Sequence, residues 1–411
     1  MIVKISTTSL KPGMYVTNPG LNPHANKGIF LAESEIKDHN EIDAIVGGNF
    51  TVTFIDTELG SYFADKPQIK AEIEKLYTLF AEVKYGEEKK RASFDVIIAG
   101  LGTAEQQYSR ILSQYKSAIS KISNNNPLDI AACEDLVRQL IDQHESISLA
   151  MTILTQLKRF DDYSYTHSLN VSILATAFGK HLDLGSEELM TLGMAGLFHD
   201  IGTIKIPDKI LRKPGKLTPG EMAEIQKHPV YGSDLLSRYS RISADVLKIV
   251  NEHHEKFMGG GYPKNKYGDK INSKSYMVGI VDTYDSVRSD RVYRKGVNAH
   301  KAVSLIFNSR NISYPAFLVD SFVKYIGVYP IGSIVELKNG LKAIVVEQFS
   351  DSLLHPIVRV MLDENNRYCE PADVNLFDMS LRSDEYDIVR CLDKSECRLR
   401  LKAYLNRTRR Q

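Results

Sequence analysis

The spacing of apolar and polar residues changes along the chain, and each change marks a region. Residues 1–60 carry short apolar or β-branched stretches (MIVKI, MYV, GIF, TVTFI) around one helical pattern near ESEIKDHNEIDAIV, which ends at Gly47-Gly48. A small α+β unit is predicted. From about residue 66 to 150 the period is helical, with Pro67 and Pro127 as starts after polar breaks, and NNNP at 124–127 is the best boundary. Helical spacing then dominates 130–325. In LTPGEMAEIQKH, Thr218 is a predicted N-cap, Pro219 takes the first helical position, and Glu221 completes a capping box. SADVLKIVNEHH begins at Ser243 and sets Val246, Leu247, Ile249 and Val250 on one face. After Pro330 the pattern becomes strand-like. GSIVELKNGLKAIVVEQF predicts two strands joined at Asn339-Gly340, IVRVML predicts a third, and 331–380 reads as a small β unit. The predicted fold class is mainly α: an all-helical bundle over 126–330, with an α+β domain over 1–125 before it and a β-rich unit over 331–411 after it.

Composition narrows the setting. A chain of 411 residues is too long for one ordinary core, and 43% hydrophobic with 25% charged residues is the make-up of a folded protein. A net charge of +1 gives no global case for DNA, RNA or a membrane surface as partner. The start, MIVKISTTSLKPGMYV, lacks an apolar core of signal-peptide length, and no run approaches the ~18 apolar residues of a spanning helix. A cytoplasmic location is therefore expected. Cys133, Cys369, Cys391 and Cys397 show neither CxxC spacing nor a secreted pattern, so reduced thiols are expected. The basic tail RLRLKAYLNRTRRQ reads as solvated.

Histidine placement carries more information. Of 11 histidines, His167, His181, His199, His228, His253 and His254 fall within one helical stretch. A lone His-Asp pair means little, but the ordered series His167, His199-Asp200, His228, His253-His254, Asp282 offers five imidazoles and two carboxylates. That exceeds what one divalent ion needs, and mixed N/O ligation suits iron, manganese, zinc or nickel. The simplest allocation gives one ion His167, His199, Asp200 and Asp282, and the other Asp200, His228, His253 and His254, with Asp200 bridging. Adjacent helical residues point ~100° apart, so His253 and His254 can both serve only near a helix end, which Gly259-Gly260-Gly261 permits. Two ions ~3.5–4 Å apart suit phosphate-ester hydrolysis.

YSYTHSLNV around His167, HDIGTIKIPDKIL from His199, QKHP at His228, HHEKFMGGGYP, and VDTYDSVRSDRVYR at Asp282 occur in the order that resembles the HD-GYP family of bacterial cyclic-dinucleotide phosphodiesterases, a branch of the HD hydrolase superfamily. The resemblance covers about residues 127–325. LKPGMYV is similar to the start of an accessory domain that often precedes such modules. What the resemblance implies is an HD-type bundle and a substrate of cyclic di-GMP or a related dinucleotide such as cyclic GMP-AMP. It also implies two divalent ions, iron first, with manganese or nickel as alternatives. A second copy or a signalling protein is the partner class expected beside the substrate. His199 and Asp200 would lie at the reacting centre. Gly261, Tyr262 and Pro263 would shape the wall beside the substrate, Tyr262 near a base, with Gly261 in a backbone geometry closed to residues bearing Cβ. Arg291 and Arg294 match positions that contact the dinucleotide phosphates. Asp285, one turn after Asp282, joins this group and is suited to orient a ligand or an arginine.

Three positions depart from the family pattern. Thr203 stands where a lysine is common, a phosphate binder or proton donor, and Lys205 is the nearby substitute. Met258 replaces the usual aspartate of the glycine turn. Tyr163 stands where members with a third ion carry glutamate, so with Asp161 and Asp162 only close in sequence, a two-ion centre is expected. Thr203 and Met258 also support an alternative, a non-catalytic receptor for the dinucleotide.

Overall fold

The structure is a computed structural model that describes residues 2–7, 10–17, 29–48, 50, 52–56, 59, 94–123, 127–157, 163–289, 296–349 and 352–392. Strands β1 (Ile2–Ser6), β2 (Tyr15–Val16), β3 (Ile29–Phe30), β4 (Ser34–Glu35) and β5 (Val52–Asp56) surround helix α1 (His39–Gly47). Helices follow: α2 (Phe94–Ser123), α3 (Ile130–Ile141), α4 (Glu145–Leu157), α5 (Tyr163–His181), α6 (Ser186–Phe198), α7 (Asp208–Leu211), α8 (Pro219–Ile225), α9 (His228–Leu236), α10 (Ala244–Glu252), α11 (Ser273–Arg288), α12 (Ala299–Phe307) and α13 (Ala316–Ile326). The chain then forms β6 (Ile334–Leu337), β7 (Lys342–Glu347), β8 (Ile357–Leu362), β9 (Tyr368–Asn375), α14 (Leu376–Ser380) and β10 (Ile388–Cys391). No helix among the described residues is long and apolar enough to cross a membrane.

Two compact units contain these elements. The first comprises Met1–Tyr85, Glu252–Tyr276 and Leu305–Asp320; the second comprises Gly86–Asn251, Met277–Ser304 and Ser321–Gln411.

In the first unit, β5 pairs antiparallel with β1 and β2, β4 pairs with β2, and β3 lies parallel to β5. The predicted helix around ESEIKDHNEIDAIV is shorter than its pattern. Ser34 and Glu35 pair with Tyr15 and Val16 instead, and the helix starts after Asp38, whose side chain accepts the Glu41 amide. An N-cap carboxylate satisfies an orphan donor of the first turn, which fixes the start there. Leu10, Met14, Val16, Ile36, Ile42, Ile45 and Ile55 form the core, and Met258 and Ile312 of the same unit pack against it.

The second unit is organised around α2. Ile97, Leu101, Ala104, Tyr108, Ile111, Tyr115 and Ala118 are buried at three- and four-residue intervals, so one stripe of this helix faces inward. The stripe joins a core with α3, α4, α5 and α6 and with Ile344, Val346, Met361 and Leu362 of the C-terminal sheet. α5 is buried over most of its circumference (Leu169, Val171, Ile173, Leu174, Phe178), which is the pattern of a central helix. The predicted starts hold: Thr218 caps α8 in a box with Glu221, and Ser243 accepts the Val246 amide. The turn at Asn339-Gly340 joins β6 and β7 as the dipeptide predicts. The sheet, ordered β10-β6-β7-β8-β9, adds β9 and β10 to the three predicted strands and runs to Cys391. β9 is mostly exposed and contains Pro371, which an edge strand tolerates. Arg359 binds both Asp95 of α2 and Asp373 of β9, pinning sheet to helix. Cys133, Cys369 and Cys391 are free thiols; Cys397 and the basic tail lie outside the described residues.

Candidate metal centre

The His-Asp pair sits at a junction in the second unit. His199 ends α6, and Asp200 opens a short 3-10 turn, Ile201–Lys205. Thr203 ties that turn back: its amide and hydroxyl both donate to the Asp200 carbonyl, at 2.9 and 2.7 Å. The hydroxyl therefore serves the backbone. Lys205 is exposed, so neither residue takes the place of the expected lysine through a buried contact. Gly202 is what lets this turn approach α9, because a Cβ there would lie 2.0 Å from the His228 carbonyl oxygen and 2.4 Å from the Gly232 amide nitrogen. That approach seats Asp200 beside His228.

Three imidazoles are held in one tautomer. His199 Nδ1 lies 2.9 Å from the Gly196 carbonyl and His228 Nδ1 lies 2.8 Å from the Ile225 carbonyl, so each Nδ1 carries the proton it donates. His167 Nδ1 lies 2.8 Å from Asp285 Oδ2 and donates likewise. Each Nε2 is then a lone pair. All three face carboxylates: His167 Nε2 is 3.0 Å from Asp282 Oδ1, His199 Nε2 is 3.3 Å from Asp200 Oδ2, and His228 Nε2 is 3.1 Å from Asp200 Oδ1. Lone pairs set against carboxylate oxygens repel unless a cation lies among them, either a proton or a metal ion. His167, His199 and Asp282 also have ligand atoms within 4.8 Å of one another, a spacing one ion can collect. The donor set fits a divalent metal.

Without metal, charge balance falls on protons. Burial opposes charging the His199 ring, but the Asp200 charge and hydrogen bond, with Asp282 behind them, raise its pKa above the ordinary value. Burial likewise pushes the Asp200 carboxyl up, and the His199 and His228 imidazoles overcome it, holding that carboxyl well below its usual range.

Asp282 and Asp285 lie one turn apart on α11 and share a face. Their roles differ. Asp282 points its oxygen at His167 Nε2, whereas Asp285, 1% exposed, is occupied by His167 Nδ1 and the Asn170 amide at 3.0 Å. Asp285 is thus enclosed behind His167 by two donors, the arrangement of a carboxylate that orients an imidazole. Arg291 and Arg294 lie outside the described residues, as do Asp161 and Asp162; Tyr163 opens α5.

The histidine pair belongs to the first unit. α10 ends at Glu252, and the His253 and His254 rings follow with centroids 4.1 Å apart, as two imidazoles beyond a helix end allow. The Tyr262 ring lies tilted against that of His254, with centroids 4.6 Å apart, and its amide donates to the His254 carbonyl; the Tyr262–Pro263 peptide is cis. Gly259 and Gly260 hold the positive φ angles of this turn. Gly261 has a different need: a Cβ there would meet the Glu255 Cα at 2.5 Å and the His254 carbonyl at 2.6 Å. Close approach, rather than a left-handed dihedral, makes it a glycine. Buried Glu255 accepts the Lys264 and Lys266 amides at 2.7 and 2.8 Å, and buried Glu252 accepts the Lys266 ammonium at 2.5 Å and the Asn272 amide at 2.9 Å. Met258 donates its amide to Ile312 and packs on the core built around Val16 and Ile55, so an apolar anchor replaces the family's polar one.

Comparison with known proteins agrees with this construction. Residues 130–314 match the family described as HD domain, and residues 2–133 match a domain of unknown function, DUF3391. A cyclic di-GMP phosphodiesterase of Pseudomonas aeruginosa is 36% identical over 60% of this chain and 59% of its own. The cyclic di-GMP phosphodiesterase response regulator RpfG of Xanthomonas campestris is 33% identical over 38% of this chain and 41% of its own. A 3'3'-cGAMP-specific phosphodiesterase of Vibrio cholerae is 30% identical over 41% of this chain and 39% of its own. The matches thus span between 39% and 59% of these relatives' length. The ordered histidine and aspartate series and the glycine-tyrosine-proline turn thus fall within a stretch, 130–314, that matches the HD domain family, and a region matching a second domain precedes it.

Proposed function

We propose that the chain is a metal-dependent phosphodiesterase that opens a cyclic dinucleotide, cyclic di-GMP first, to the linear dinucleotide. One observation carries the reading. Each oxygen of Asp200 faces a different imidazole, Oδ2 toward His199 and Oδ1 toward His228, which is how a carboxylate bridges two ions. In the proposed allocation His167, His199 and Asp282 hold one ion with Asp200, and His228, His253 and His254 hold the other with Asp200. Divalent ions there supply Lewis-acid polarisation of the phosphate and an activated water. The protein's part is to aim the Nε2 lone pairs of His199, His228 and His167, through the carbonyls of Gly196 and Ile225 and the Asp285 carboxylate. Gly261, Tyr262 and Pro263 are proposed to form the wall beside a base, with Arg291 and Arg294 binding phosphates. Residues 126–330 are the proposed catalytic portion, 1–125 the accessory region and 331–411 the β-rich appendage, in a cytoplasmic protein. The names of the relatives support both cyclic di-GMP and cyclic GMP-AMP as substrates, so both are offered in the test. Protein loaded in turn with iron, manganese or nickel is incubated with each, and linear product is separated by chromatography under reducing conditions. Turnover of either, lost on metal removal and restored on reloading, is expected. Tight binding with no linear product from any metal form would replace the enzyme reading with the receptor.

A further inference from the structure

A buried chain of hydrogen bonds runs from α2 to the candidate metal ligand His167. Tyr108 Oη lies 2.8 Å from Asn170 Oδ1, Asn170 Nδ2 lies 3.0 Å from Asp285 Oδ1, and Asp285 Oδ2 lies 2.8 Å from His167 Nδ1. Tyr108 is 0%, Asn170 7%, Asp285 1% and His167 3% exposed, so the four groups have one another rather than bulk solvent. The geometry points to Tyr108 as a positioning residue for His167, acting through Asn170 and Asp285.

The direction of every bond in the chain is forced. A carboxylate only accepts, so Asp285 requires the NH2 side of the Asn170 amide and the N–H of the His167 ring. The Asn170 amide must then present its oxygen to Tyr108, and only a hydroxyl donating toward it satisfies that oxygen. Burial, with the Asp285 charge adding to it, pushes the Tyr108 hydroxyl up from its ordinary value, which keeps it a donor. Read outward, the same logic ends at the metal side. With Nδ1 committed to Asp285, the lone pair of His167 sits on Nε2 and faces Asp282. If Tyr108 loses its oxygen, the Asn170 amide can turn, its carbonyl repels Asp285, and the ring loses its fixed tautomer.

The position of Tyr108 gives this relay its interest. It lies in α2, within the stretch 2–133 that matches the domain of unknown function, while His167 lies in the HD domain match. The region before the HD domain would thus contribute a group that steadies a ligand of the HD site. The inference rests on His167 being a metal ligand and is independent of which substrate is turned over.

The test measures ions and ring nitrogens, without substrate. Manganese affinity, read by competition with a chelator, is expected to fall about 2–10-fold in Tyr108→Phe, the worth of one neutral hydrogen bond. In Asn170→Ala the loss should be at least as large, and the double variant should be no weaker than Asn170→Ala alone, because the groups act in series. In protein loaded with diamagnetic zinc, 15N spectra should show the His167 ring as Nδ1–H with Nε2 on the ion in wild type and as a mixture in Tyr108→Phe. Ile111→Val, a buried apolar change on the same helix, should cost stability and leave affinity and ring signals alone. Wild-type affinity and ring signals in Tyr108→Phe, or losses that simply add in the double variant, would overturn the relay. An Nε2–H ring at His167 in zinc-loaded wild-type protein would overturn it whether or not the variants fold. Failure of hydrolysis with these results intact removes the substrate reading only; the reverse removes the relay only.

Discussion

Gly202→Ala is the substitution whose consequence can be worked most directly from distances. The added carbon would stand 2.0 Å from the His228 carbonyl oxygen, where 3.4 Å begins ordinary contact, and 2.4 Å from the Gly232 amide nitrogen. Both obstacles are backbone, so neither can rotate aside. Relief requires the 3-10 turn and α9 to separate by about 1.4 Å, against a tolerance of roughly 0.2 Å in metal–ligand distances. The 3.1 Å approach of His228 to Asp200 would not survive that shift. Overpacking of this kind costs about 1–3 kcal/mol and sometimes more, and at the upper end a drop of several degrees in melting temperature is expected. Two controls calibrate it. At Gly232 the nearest obstacle is a Val250 methyl at 3.1 Å, so Gly232→Ala should cost under about 1 kcal/mol. At Gly220 nothing lies within 4 Å, and Gly220→Ala should stabilise by about 0.5–1 kcal/mol. Thermal melts and elemental analysis of reconstituted protein read all three. If Gly202→Ala melts and binds metal like Gly232→Ala, close approach at Gly202 is not what seats Asp200 beside His228.

Other expectations follow from the same site. Asp200→Ala should lose most bound metal and nearly all hydrolysis; two ions per chain by elemental analysis would refute the bridge. Thr203→Lys should raise turnover by less than about 10-fold with metal content unchanged, because it forfeits the hydroxyl bond to the Asp200 carbonyl and an introduced lysine seldom reaches the ~10²–10⁴ of a placed general acid. If neither it nor Lys205→Ala alters the rate, both positions are outside the reaction. Met258→Asp should destabilise by about 1–2 kcal/mol in chemical denaturation, since it sets a carboxylate against the core of the first unit; an unchanged midpoint would show that the contact carries no weight. The Glu221 carboxyl is lowered from 4.5 to about 2, first by Lys213 and then by the Thr218 amide. Its stabilisation is therefore whole above pH 4.5 and fades as pH falls toward 2. Glu221→Gln should flatten that acid limb in pH-dependent melts; an unchanged limb would assign the acid loss to other carboxylates.

The order of the histidines and aspartates was readable because ligand chemistry restricts residue type, and few side chains can replace an imidazole. Capping was readable for a similar reason, as Thr218 and Ser243 act within three residues of themselves. What escaped depends on distant contacts. Asp285 and Asp282 are the same residue type one turn apart, and only the approach of Asn170 and His167 separates their roles. Tyr108 lies 62 positions from Asn170, and nothing local distinguishes it from any core tyrosine. Gly202 carries no side-chain signal at all, whereas Gly261 was legible only through the motif around it. β9 and β10 escaped because both are largely exposed edge strands without the apolar alternation by which strands are read, and β9 also contains Pro371.

Met258 bears on how this chain came to be. In a family member without the N-terminal sheet, an apolar residue at this place would face water and gain nothing. In this chain it is covered by the core around Val16 and Ile55. A sheet that acquired the contact and then lost the methionine would in turn expose part of its own core. Neither change is useful without the other, so the two are expected to be inherited together: methionine or another apolar residue where this N-terminal domain is present, aspartate where it is missing. One side chain in the glycine turn would then report the domain composition of a relative whose N-terminus has not been sequenced.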